Sequence, residues 1–166
     1  GIASLRVQLC YYRGFNELQA SRWLDDSEEL ARLMGRVRCE GGHTQIARLL
    51  RHALSEHRKA NIRALVFIGD AMEEKPDTLC DLAGKSGLLN LPLFLFQEGH
   101  DHLVEQTFKT MARLSGGAWA RFDSRSASHL ASLLGAVASY AAGGRAALEN
   151  GGTEGAKLLL EQLKPS

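Results

Sequence analysis

Ala64-Leu65-Val66-Phe67-Ile68-Gly69-Asp70 is an uninterrupted apolar run that stops on Gly-Asp and continues into Ala71-Met72-Glu73-Glu74. Successive strand residues point to opposite faces, so a run apolar at every position has both faces covered, as in a parallel sheet clad by helices. The run predicts a buried strand over residues 62–69 that delivers the Asp70 carboxylate to its carboxyl end. Ligands of open α/β sheets collect outside the carboxyl ends of strands, which makes Asp70 a candidate for metal or substrate work. An Asp in that place also serves as a turn or helix N-cap residue, and the run alone does not choose between these roles.

The flanking sequence repeats the strand-then-helix pattern. Pro76 or Asp77 opens a helix to about Lys85, with Pro suited to the first turn. Residues 91–96 form a second all-apolar strand, followed by a helix from about His102 to Leu114, a break at Gly116-Gly117 and a short strand over residues 118–122. A serine-rich cap over residues 124–128 starts a helix from Leu130 to Ala141. Upstream, Leu5, Val7, Leu9 and Tyr11 alternate along a strand over residues 5–12 that turns and returns over residues 19–24 as a short edge strand. Asp26 or Ser27 caps a helix reaching Arg38, and the Gly-rich loop Glu40-Gly41-Gly42-His43-Thr44 feeds a helix from about Ile46 to His57. The expected fold is α/β, a three-layer Rossmann-like, mostly parallel sheet with helices on both faces and one short antiparallel edge strand. Residues 1–142 make the α/β domain, and residues 143–166 a Gly-rich loop with a short closing helix over residues 157–163.

With 166 residues, 45% of them hydrophobic, the chain is long enough for one domain with a real core. Twenty basic and 19 acidic residues leave a formal charge of +1, no field that would steer nucleic acid or an anionic lipid surface. No apolar segment approaches the roughly 20 residues that span a bilayer. The three cysteines lack Cys-x-x-Cys spacing and fit reduced intracellular thiols, so a soluble cytoplasmic protein is expected. Sequence upstream of Gly1 is also expected, because the chain does not open on Met and enters a strand almost at once.

Several chemical readings fail on spacing. Gly84-Lys85-Ser86 has Leu79 where a phosphate-binding loop needs glycine. His52 and His57 are five apart, a poor spacing for one metal on one helix face. Glu98, His100, Asp101 and His102 lie just beyond a strand as potential ligands, but the plain reading, a polar loop with Asp101 as N-cap, is favoured. There is no Gly-x-Ser-x-Gly, His-Glu-x-x-His or Gly-x-Gly-x-x-Gly. What remains is Thr44 with Asp70, two oxygens on converging loops that suit a hard ion such as Mg²⁺ and would bind it weakly alone.

Gln8-Leu9-Cys10-Tyr11-Tyr12-Arg13-Gly14, Gly41-Gly42-His43-Thr44-Gln45-Ile46 and Leu65-Val66-Phe67-Ile68-Gly69-Asp70 follow one another as in the von Willebrand factor type A (VWA) domain family. The chain resembles in particular the small soluble bacterial members, over residues 5 to about 141. The resemblance implies a metal-ion-dependent adhesion site with Thr44 and Asp70 as metal ligands and Gly42, His43, Glu73 and Glu98 facing a partner. It also implies a non-enzymatic module in which Mg²⁺, with Mn²⁺ or Ca²⁺ as substitutes, bridges to a carboxylate of an unidentified protein. A homo-oligomer is compatible with it. The family's Asp-x-Ser-x-Ser motif is absent from these 166 residues, as is its first strand, so metal binding by this chain alone is expected to be weak or absent. Glu73 or Glu74 either supplements the site or caps the next helix, capping being the favoured reading. The alternatives are a metal-dependent phosphohydrolase using Asp70 and a structural domain whose site is vestigial.

Overall fold

The computed structural model describes residues 5–8, 10–12, 18–25, 45–123 and 125–163. Three strands, β3 (Leu65–Gly69), β4 (Leu93–Glu98) and β5 (Ala118–Phe122), form a parallel sheet in the order β3-β4-β5. Leu65 pairs with Leu93 and Gly69 with Gln97, while Phe94 pairs with Ala118 and Glu98 with Phe122. Upstream, β1 (Cys10–Tyr12) and β2 (Leu18–Ala20) pair antiparallel as a separate two-stranded ladder, extended by a Val7–Leu24 bridge. The helices are α1 (Ile46–Ala60), α2 (Pro76–Leu88), α3 (His102–Ser115), α4 (Ala127–Gly151) and α5 (Glu154–Leu160). The helix expected to end at Arg38, the Gly-rich loop before Gln45 and Cys39 lie outside the described residues.

Alternation along the strands divides the core into two layers, but β3 is shorter and less buried than the strand expected over residues 62–69. It begins at Leu65 and, with β4 as its only ladder partner among the described residues, it buries Phe67 and leaves Ile68 exposed. Phe67, Leu93 and Leu95 face α1, α2 and α3, packing with Leu50, Leu79, Phe108 and Met111. Phe94, Phe96, Ala118 and Ala120 face the other way, onto Leu133 and Val137 of α4 and Leu159 of α5. Phe67 and Phe108 meet edge to face at 5.6 Å between ring centroids.

Local chemistry fixes most helix ends. Pro76 opens α2, the Asp101 side chain accepts from Val104 N–H at 3.0 Å at the start of α3, and Ser126 accepts from His129 N–H at 3.4 Å at the start of α4. Gly116, at φ 81°, ends α3 in the left-handed region. At Gly117 a Cβ would lie 1.9 Å from the Leu93 carbonyl oxygen, so the turn into β5 runs against β4 at a distance that excludes any side chain.

The loop expected over residues 143–152 is corrected by the structure: the helix continues through it to Gly151, broken at Gly144 with φ 68° and ψ −162°. Arg145 and Leu148 account for the difference. Arg145 donates to the Leu163 carbonyl at 2.8 Å, and Leu148 is buried against the α4–α5 layer. The closing helix correspondingly begins at Glu154, capped by Thr153, rather than at Lys157. Beyond it, the Gln162 side chain lies along β5, accepting from Trp119 N–H at 2.8 Å and donating to Trp119 C=O at 2.6 Å.

Candidate functional site at the carboxyl end of the sheet

Asp70 follows β3 directly and is exposed, as the sequence predicts for a strand-end carboxylate. It makes no hydrogen bond or ion pair among the described residues. Because Gly69 pairs with Gln97, Asp70 and Glu98 are the next residues out on neighbouring strands. Glu73 is exposed in the loop that follows, and Glu98 is half-buried.

Glu74 behaves differently from the expectation that it caps the next helix. Its Oε2 accepts from Ala47 N–H in the first turn of α1, while Oε1 accepts from Glu73 N–H at 3.3 Å. The helix it caps is therefore the preceding one. The reason is local: α1 has no acidic residue in its first turn, and its N-cap residue Gln45 makes no side-chain capping bond. A carboxylate brought from another loop satisfies an orphan N–H and complements the positive end of the helix dipole. Thr44, Gly42 and His43 lie outside the described residues. The chain directly after Thr44, however, is tied to the Asp70 loop by this contact.

The loop between β4 and α3 is braced from beneath. Gln97, fully buried, donates from Nε2 to the Asp101 carbonyl at 3.1 Å and accepts from the Trp119 indole N–H at 3.0 Å. Arg121 donates from Nε to the Gly99 carbonyl at 2.9 Å and pairs with Glu105. Lys109 pairs with the other oxygen of Glu105 at 2.9 Å, and its ammonium lies 4.5 Å from the Trp119 ring centroid. Hydrogen bonds from Lys109 and Arg121 hold the Glu105 carboxyl down at about 2. Gln97, Trp119, Arg121 and Glu105 were not singled out in the sequence. The available signal was Gln97, a polar residue ending an otherwise apolar run.

As a metal centre this end is sparse. Among the described residues no group of three or more His, Cys, Asp or Glu could hold a metal ion, the cluster of Glu98, His100, Asp101 and His102 included. Asp101 is occupied as an N-cap and His102 bonds to Gln106 at 3.1 Å. His52 and His57 are both partly buried and separately engaged, His52 with Gln8 at 2.9 Å and His57 with the Leu89 carbonyl at 2.7 Å. Cys10 is far from a thiolate: burial, then the Glu56 charge, push it up to about 11.

The fold is VWA-like. The chain is similar to a solved structure described as the SpRpn10 VWA domain, with a TM-score of 0.50 and 14% identity. The likeness covers 65% of this chain and 60% of that one, and it concerns the three-layer architecture. No protein-family model matches the sequence, and neither does any curated protein. No helix among the described residues is long and apolar enough to cross a membrane.

Proposed function

We propose that the chain is a non-enzymatic protein-interaction module presenting the carboxyl end of its parallel sheet to a partner protein. The observation that supports this most is the Glu74 carboxylate on Ala47 N–H, which draws the start of α1 to the loop headed by the exposed Asp70. Two loops far apart in sequence thus converge where α/β sheets carry their ligands. Thr44 and Asp70 are the proposed ligands of a Mg²⁺ ion that would bridge to a partner carboxylate, with Gly42, His43, Glu73 and Glu98 around it. Mn²⁺ or Ca²⁺ would substitute. The donor set fits such an ion in part: Asp70 has its carboxylate unengaged among the described residues, whereas Glu74 is committed to α1. Held by two protein oxygens, the ion would keep most of its water and bind weakly.

Calorimetric titration of Mn²⁺ into the chain and into Asp70→Ala tests the metal-dependent reading. Weak binding to the parent that disappears in the variant is expected, and equal heats in both would remove Asp70 from the site. Hydrolysis of p-nitrophenyl phosphate that vanishes in Asp70→Ala would overturn the non-enzymatic reading in favour of a phosphohydrolase.

A further inference from the structure

The opposite end of the molecule carries a second surface. The carboxyl ends of α1, α2 and α3 converge there: His57 in the last turn of α1 bonds to the Leu89 carbonyl at 2.7 Å, and a Cβ on Gly87 would stand 2.3 Å from the Leu114 carbonyl oxygen. Around these contacts three leucines are left in water, Leu88 at 85% exposure and Leu89 and Leu114 at 43% each. Cations surround them, with Arg58 and Lys59 in the last turn of α1, Lys85 in that of α2 and Arg113 in that of α3. Complementing the negative ends of three helix dipoles accounts for the cations. It does not account for the leucines, which gain nothing from exposure.

Arg113 joins the two features. It follows from its place in the chain that it adjoins Leu114, and it also lines a cleft of about 220 Å³ with Lys109, Gly116, Gly117 and Gln162. That volume is below the usual range for a cofactor or drug-sized ligand and suits a single side chain. Lys59 and Lys85 have acidic partners on their own helices, Glu56 and Asp81, but Arg113 has no ion-pair partner among the described residues.

We propose that this end docks an acidic peptide segment of a partner protein, with an apolar side chain on Leu88, Leu89 and Leu114 and a carboxylate in the cleft on Arg113. Charge complementarity selects the occupant: an apolar patch rimmed by basic residues disfavours a basic partner and rewards an acidic one. The surface is independent of the strand-end site and needs no metal.

Fluorescence anisotropy tests it on the full chain in EDTA, using a fluorescein-labelled peptide of Glu and Leu and its counterpart with every Glu replaced by Gln. Expected are binding of the Glu peptide, a loss of about tenfold in Arg113→Glu and of about fivefold in Leu88→Gln, and negligible binding of the Gln counterpart. Both replaced side chains are exposed, so the variants should melt with the parent. Equal affinity in the parent and Arg113→Glu, or no binding by the parent, would overturn the proposal. So would concentration-dependent self-association abolished by Leu88→Gln without peptide binding, which would assign the patch to a second copy. Binding to phosphatidylserine vesicles in place of the peptide would assign it to a membrane, and loss of peptide binding in Asp70→Ala would move the event to the other end.

Discussion

Gln97 is fully buried at the carboxyl end of β4, and both ends of its amide are engaged, one on the Asp101 carbonyl and one on the Trp119 indole. A buried amide is stable in such a place when its donors and acceptor are satisfied, and it then fixes its surroundings. Replacing it with leucine keeps the volume, leaves the Trp119 indole N–H without its partner and removes one of two donors to the Asp101 carbonyl, which keeps the Glu105 N–H at 3.0 Å. Gln97→Leu should therefore cost about 1–3 kcal/mol in urea unfolding and loosen the loop carrying Glu98 and His100, seen as faster amide exchange at residues 99–101. Unchanged stability would mean that water replaces the amide at no loss.

At the scale of elements, α1 depends on a residue outside itself. Glu74→Ala should destabilise the chain by about 1 kcal/mol and speed exchange of the Ala47 amide, whereas Glu74→Gln, which keeps an acceptor but not the charge, should recover part of the loss. What was legible in the sequence follows from which interactions are local. Pro76, Asp101 and Ser126 act within three residues of themselves, and the all-apolar run around residue 93 states its own burial, so these elements could be read directly. The run around residue 65 marks a strand and the place of Asp70 but overstates its burial, since only Phe67 is buried and Ile68 is exposed. Glu74 acts on a residue 27 positions away, and no local pattern marks it. Gly143 and Gly144 carry the signal of a loop, and the signal is correct at Gly144, which leaves helical geometry. The helix resumes because Leu148 is buried in the core cluster of its layer and Arg145 reaches the Leu163 carbonyl beyond α5. Tertiary contact overrode local preference there. Of the candidate site, the place of Asp70 at the end of β3 was legible, while the Glu74 contact with α1 and the bracing of the floor were not.

Across the whole molecule, Glu105 links two layers through pairs to Lys109 on its own helix and to Arg121 on β5. Its carboxyl is lowered from 4.5 to about 2, first by the hydrogen bond from Lys109 and then by that from Arg121. A depressed carboxylate stabilises the fold fully above its unfolded pKa and loses that contribution as pH falls toward the folded one. The stability difference between the parent and Glu105→Gln should accordingly shrink between about pH 4.5 and pH 2, followed by thermal unfolding at stepped pH. A difference that stays constant across the window would show that the pairs contribute nothing to folding.

Residue 162 has a consequence for how these molecules live beside one another. A strand at the border of a sheet offers unmet peptide groups to any neighbour that can lie alongside, which is how ordered aggregates begin. On β5 the outward N–H and C=O of Trp119 are taken by one glutamine amide, which imitates a peptide unit without extending into a strand. The β5 border is covered from within the same chain at its second residue, so a neighbouring strand pairing along β5 would first have to displace that side chain.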